Sequence, residues 1–207
     1  GEYQNAINYA TTVINSNVRP LASGSTFADI WTDANTTSEV LFRTRLLTSA
    51  GLGGLYTTTS GLIYVAPSDK LRNSYSPDDI RLTSYIGGAG PDAYYVNKYY
   101  QSSRGGRIVD IKNIRIAEMY LIRAEAYAKL PVPNVTLGTA DLNFLRSKRI
   151  TGYVNESFAS PALLITAVLE ERFKELAFEG SRLFDLKRNS LPVQRATSDV
   201  GSAAWQT

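Results

Sequence analysis

The stretch LEERFKELAFEGSRLFDLKR, residues 169–188, places Glu171 and Glu175 one helical turn apart. Two carboxyl groups at that spacing could flank a glycosidic bond, because hydrolysis asks for a separation of roughly 5–10 Å across the sugar. Almost any charged helix offers the same spacing. With Arg172 and Arg182 interleaved, paired charges that hold the helix to its neighbours are the better account. Asp78 and Asp79 in YSPDDIRLTSYI could suggest a hard cation with oxygen ligands, but the spaced D-x-D-x-D-G pattern is missing. Pro77 and Asp78 open a turn or helix well, and an acid in that first turn suits the helix dipole. In IRIAEMYLIRAEAYAKL, residues 114–130, Glu118 and Arg123 read as solvated or inter-helix charges rather than catalysts.

The chain has no cysteine and no histidine. That removes disulfides, zinc sites of the usual N/S type, thiol nucleophiles and every Ser-His-Asp arrangement. No cofactor or metal is implied. The formal charge of +3 comes from 22 basic and 19 acidic residues. The excess is thinly spread: three basic against five acidic in 1–69, five against three in 70–106, fourteen against eleven in 107–207. Nucleic acid is therefore a poor partner, since phosphate binding needs clustered Lys and Arg. No run approaches the roughly 18 apolar residues of a membrane helix, and the first residues lack a signal-peptide pattern.

These side chains must be positioned by three compositionally distinct regions, 1–50, 51–106 and 107–207, read as parts of one structural domain. Over 2–17, Tyr3, Ile7, Ala10 and Ile14 fall on one helical stripe that Asn-Ser-Asn at 15–17 would end. Trp31 reads as a packing anchor ahead of SEVLFRTR, a short strand; Trp205 lies in a polar tail. Residues 51–106 hold nine of the 15 glycines and eight of the 13 tyrosines, which predicts loops and short strands. Helical periodicity then predicts helices near 114–130, 138–149, 161–179 and 181–188, with PVPN at 131–134 as a breaker and Gly180 as a C-cap. Glu125/Lys129 and Glu170/Lys174 are the pairs four residues apart that support them.

Small residues at fixed offsets in paired helices mark tetratricopeptide-like repeats, because they let neighbouring helices approach closely. Ala124 and Tyr127 suit a first helix, Ala140 and Phe144 a second. Residues 3–14 look like the second helix of another pair whose first helix is missing. Their apolar stripe is expected to lie uncovered, and the chain to be the C-terminal portion of a longer protein.

In order and approximate spacing, IRIAEMYLIRAEAYAKL, ADLNFLRSKR (140–149) and LEERFKELAFEGSRLFDLKR resemble the C-terminal half of SusD/RagB-like proteins. EYQNAINYATTVI, SEVLF (38–42) and APSDKL (66–71) resemble that family's middle portion. The resemblance implies a mainly α fold: a tetratricopeptide-like helical scaffold with an irregular loop-rich lobe containing a few short strands. It also implies a lipoprotein of the Bacteroidota outer membrane, facing outward, that captures oligo- or polysaccharide without catalysis and delivers it to a SusC-like TonB-dependent transporter. The anchor would lie in the N-terminal half, outside this sequence. A helical-repeat scaffold that only holds a protein partner is the alternative.

Sugar recognition rests on aromatic rings stacked against the apolar faces of pyranoses, with polar groups taking the hydroxyls. Tyr56 and Tyr64 flank Thr57, Thr58 and Thr59 in GLGGLYTTTSGLIY, the segment that resembles the family's variable stretch; Tyr94 and Tyr95 follow a Pro-Asp turn. These seven residues are the candidate ligand contacts, with the 51–66 loop foremost. Lys98, Tyr99 and Tyr100 resemble a recurrent structural element of the family.

Overall fold

A computed structural model describes residues 1–48, 51–58, 60–88 and 94–194. Helix α1 (Tyr3–Ser16) stops at Asn17, whose left-handed backbone (φ 50°) lets its N–H return to Ile14 O. Helix α2 (Ser25–Trp31) and strand β1 (Val40–Thr44) follow. The tyrosine-rich middle contains short α3 (Leu52–Tyr56), α4 (Asp69–Asn73) and α5 (Ile80–Tyr85), then two-residue strands β2 (Ile86–Gly87), β3 (Tyr95–Val96), β4 (Gln101–Ser102) and β5 (Gly105–Gly106). The expected loops and short strands are present. The three helices are too short for periodicity to reveal. Ser68 caps α4 by accepting from Leu71 N, and Asp79, not Asp78, caps α5 by accepting from Arg81 N.

Strand β6 (Ile111–Arg115) runs directly into α6 (Ile116–Lys129), followed by α7 (Val135–Ser147), α8 (Pro161–Glu175) and α9 (Arg182–Arg188). The first long helix thus begins two residues later than its apolar period suggested, because Ile114 and Arg115 pair with β1. Ser160 caps α8 with Pro161 in its first turn. That helix stops at Glu175, short of the expected 179; Phe178 (φ 66°) and Gly180 (φ 81°) turn the chain towards α9. The result is mainly helical with a few short strands, as expected.

Two cores form. An aliphatic one, including Leu121, Ala124, Leu142, Leu145, Leu164 and Val168, fills the space between α6, α7 and α8. An aromatic one, including Phe27, Trp31, Tyr75, Tyr85 and Tyr99, lies beneath the middle region. The small residue that admits α7 to α6 is Gly138: a Cβ there would lie 2.8 Å from Ala124 O. Ala140 and Phe144, assigned that role from sequence, sit on the exposed side of α7. The expectation for α1 is also overturned. Its stripe packs on α6, with Ile7 and Ala10 buried and Arg123 donating to Thr11.

Between the cores lies a buried lattice of ions. Asp79, Glu39, Glu171, Glu175 and Glu179 face Arg81, Arg115, Arg146, Arg149 and Lys98. Glu175 alone takes Arg81 at 3.0 Å, Arg115 at 2.8 Å and Arg149 at 3.0 Å, all with fully buried side chains. The carboxylates considered for hydrolysis are therefore structural. Burial alone would raise their pKa values. The surrounding cations outweigh it, drawing Glu171 down to about 2 and Glu175 well below the usual carboxylate range. Glu118 and Arg123 likewise join helices, to Arg172 and Asp141. Glu125–Lys129 forms at 2.7 Å, whereas Lys174 turns to Glu171.

Removing one charge from such a lattice strands its partners. Glu175→Gln is expected to lower unfolding free energy in urea by about 3–5 kcal/mol, while Glu170→Gln, on an exposed residue, stays within about 0.5 kcal/mol. The unfolded carboxyls, with ordinary values near 4.5, bind protons more readily than the folded ones. Stability should therefore hold above pH 4.5 and fall as pH drops towards 2, followed by circular dichroism at fixed urea.

Candidate functional site

The 51–66 segment is a small folded loop. After α3 it reverses through Thr58 N→Leu62 O (2.8 Å) and Gly61 N→Thr58 O (3.1 Å), and Tyr64 N returns to Tyr56 O (2.8 Å). Thr58 Oγ1 accepts from Leu62 N at 2.9 Å. Gly61 sits at φ 90°, a conformation that suits glycine. At the base, Gly53 meets the 99–107 segment: a Cβ there would lie 2.4 Å from Tyr99 O and 2.8 Å from Arg107 Cα.

Tyr56 and Tyr64 take opposite roles in this loop. Tyr56 is half-buried, stacked on Tyr99 with centroids 5.9 Å apart, edge-on to Phe178, and its hydroxyl donates to Phe178 O. Burial pushes its hydroxyl pKa up. Tyr64 is 62% exposed, beside exposed Leu55, Leu62 and Val65. Thr57 is 2% exposed and accepts from Arg107 Nε at 3.2 Å, so it serves the loop's shape. Thr58 is half-buried and bonded to Ser60; Thr59 lies outside the described residues.

A groove of about 510 Å³ opens where this loop meets the α8–α9 corner. Tyr56, Ala66 and Ser68 line one side; Phe173, Phe178 and Arg182 line the other. Of the far wall only Arg182 was singled out from sequence, as a paired charge; in the structure it has no carboxylate partner among the described residues and lies 4.9 Å from the Phe173 ring centre instead. Nothing in helical spacing announces that Phe173 faces a loop more than a hundred residues earlier.

The other two candidates lie elsewhere. Tyr94 carries the Arg72 guanidinium 4.3 Å from its ring centre and borders a separate groove of about 500 Å³ with Tyr75 and Ile86. Tyr95 pairs with Tyr100 at 4.3 Å, over Gly87. Lys98 and Tyr99, read as structural, are buried: the Lys98 ammonium lies 4.2 Å from the Trp31 ring, 3.9 Å from that of Tyr85 and 2.8 Å from Ala177 O. Trp31 is 2% exposed, the anchor expected of it. Trp205 falls outside the described residues. No group of three or more acidic residues arranged to hold a metal occurs among the described residues.

The model of the SusD family, SusD_RagB, matches residues 56–203. The chain belongs to the SusD family. A SusD superfamily protein from Bacteroides thetaiotaomicron superposes with a TM-score of 0.80 at 25% identity, over 95% of this chain and 48% of that one. A SusD-like carbohydrate binding protein from Bacteroides vulgatus gives 0.75 at 25% identity, over 94% and 43%. Surface glycan-binding protein A from Bacteroides thetaiotaomicron, solved in complex with laminarihexaose, gives 0.71 at 18% identity, over 95% and 53%. No curated protein matches. The chain thus spans about half the length of the solved SusD-family structures it resembles.

For this SusD-family chain the loop's seat can be tested directly. A methyl group at Gly53 must push against backbone on two sides, so Gly53→Ala is expected to cost about 1–3 kcal/mol. Limited proteolysis should then cut within 54–65 sooner than in the parent, while the α6–α8 helices keep their protection.

Proposed function

We propose that this chain captures glycans without transforming them. The observation that carries the reading is the 51–66 loop itself: it seats Tyr56 in a groove with Phe173 and Phe178 and leaves Tyr64, on the same loop, exposed to solvent. Rings in such positions cover the apolar faces of sugars, while Ser68 offers a hydroxyl in the groove and Thr58 and Ser60 offer theirs on the loop. Tyr94 and Tyr95 would form secondary contacts. The SusD-family neighbour solved with laminarihexaose supports the same substrate class.

Catalysis is disfavoured by electrostatics. A glycosidase needs one carboxyl that is protonated near neutral pH and another open to the sugar. Glu171 and Glu175 are buried, ion-paired and pulled below the ordinary range. Following the family resemblance, the captured oligosaccharide passes to a SusC-like TonB-dependent transporter at the outer membrane, the full-length protein being held there by a lipid. No helix among the described residues is long and apolar enough to cross a membrane.

Affinity electrophoresis through gels containing neutral polysaccharides, laminarin among them, tests the reading. At least one should retard the parent. Tyr64→Ala should weaken that retardation about three- to tenfold, whereas Tyr9→Ala, removing a still more exposed ring from α1, should leave it unchanged. Equal loss in both variants, or none in either, would remove the loop from the site.

A further inference from the structure

The groove beside the 51–66 loop carries an excess of positive charge that the scaffold does not consume. Arg182, the first residue of α9, is half-buried with its guanidinium carbon 4.9 Å from the centre of the Phe173 ring. Lys70, from α4, places Nζ 5.8 Å from the same ring. Neither has a carboxylate partner among the described residues. The cations around them do. Arg172 is held by Asp185 at 2.8 Å and by Glu118 at 3.3 Å, Lys174 by Glu171 at 3.4 Å, and Arg72 by Asp69. Asp185 (also bound to Arg188), Glu118, Glu171 and Asp69 are thus committed; Glu170, exposed on α8, makes no ion pair among the described residues, Arg182 and Lys70 included.

A guanidinium resting on an aromatic ring gains attraction from it while its N–H groups remain available to an acceptor. Arg182, in the lining of the groove walled by Tyr56 and Phe178, and Lys70, outside that lining but within 5.8 Å of the same Phe173 ring, therefore offer two donors near it. Aromatic walls suit the apolar face of a sugar ring. Two uncommitted cations beside them suit an anionic substituent on that ring, and an Arg fork matches the paired oxygens of a carboxylate or sulfate.

We propose that the groove between the 51–66 loop and the α8–α9 corner selects anionic saccharides, Arg182 and Lys70 taking the carboxylate or sulfate while Tyr56 and Phe173 line the sugar. This rests on the glycan-capture reading and names its substrate class. A chain of net charge +3 would attract polyanions anywhere on its surface, so the test must separate the groove from the net charge.

Affinity electrophoresis through gels containing polygalacturonate, dextran sulfate or neutral laminarin, at fixed ionic strength, does so. The parent should be retarded more by one of the polyanions than by laminarin. Arg182→Gln should weaken that retardation about five- to tenfold, with Lys70→Gln adding to it and Lys148→Gln, the same charge change just after α7, having no effect. Retardation by polygalacturonate alone assigns the carboxylate; retardation by dextran sulfate alone assigns the sulfate. Equal losses in Arg182→Gln and Lys148→Gln would falsify the groove's role. Retardation by laminarin alone, lost in Tyr64→Ala, overturns the anionic selectivity and leaves glycan capture standing. No retardation in any gel overturns both. Urea midpoints of the variants close to the parent's exclude misfolding as the cause.

Discussion

Glu175 is the point on which this structure turns. Its two oxygens receive guanidinium groups from the start of α5, the end of β6 and the exit of α7. Each ion in this lattice has lost its water, a cost of several kcal/mol per charge that only good geometry and complete pairing can offset. Pairing is nearly complete here: five acids meet five cations, and Arg149 also reaches Ala22 O at 2.7 Å and Arg115 reaches Glu175 O at 2.9 Å. Such a lattice adds little net stability over an apolar core of the same volume. What it adds is exclusivity, because any shift of α8 by a turn would strand several buried charges at once.

The backbone bears strain to complete it. Glu39 lies at φ 65° and is fully buried, a conformation that costs a non-glycine residue on the order of 1–2 kcal/mol. It persists because its carboxylate is the common acceptor of Arg115 and Arg149 and also takes Ala22 N at 3.0 Å. The residue just before β1 is thereby tied to the helical scaffold. From the other side of the lattice, Glu179 holds Lys98 at 2.5 Å, and Lys98 sits against Trp31 and Tyr85. Tyr99, next in the chain, then supports Tyr56. The loop's position thus traces back, contact by contact, to charges that never meet solvent.

Legibility in the sequence followed the range of the interactions. Helices α6, α7 and α8 were readable because each is governed by its own period and caps, such as Ser160-Pro161. The pairing role of Glu171 and Glu175 was readable from the interleaved arginines, although Arg81, Glu39 and Arg149 as their partners were not. Errors arose where a neighbour decides. Ile114 and Arg115 scored as helix until β1 claimed them, and Ala140 and Phe144 fitted a repeat pattern whose true contact is Gly138 against Ala124. On the near side of the groove Tyr56 was among the residues singled out from sequence, whereas Tyr64 is not part of its lining. The far side was not legible, because Phe173, Phe178 and Arg182 look like ordinary helix-packing residues until the turn after α8 is built.

That turn also explains how the proposed capture site could coexist with so densely paired a base. Phe178, three residues past the end of α8, adopts φ 66°, and its carbonyl accepts from Tyr56 Oη. The wall of the groove is consequently fixed by the scaffold, while Tyr64 stands on the loop's solvent side. A ligand meeting one preformed wall and one exposed ring gives up little of its own hydration and orders little protein. Its affinity per site should be modest, because only the surplus over desolvation and ordering appears as binding. For a polymeric ligand of the kind proposed, modest affinity per site would be an advantage: many weak, equivalent contacts along one polymer would retain it and still let each one go.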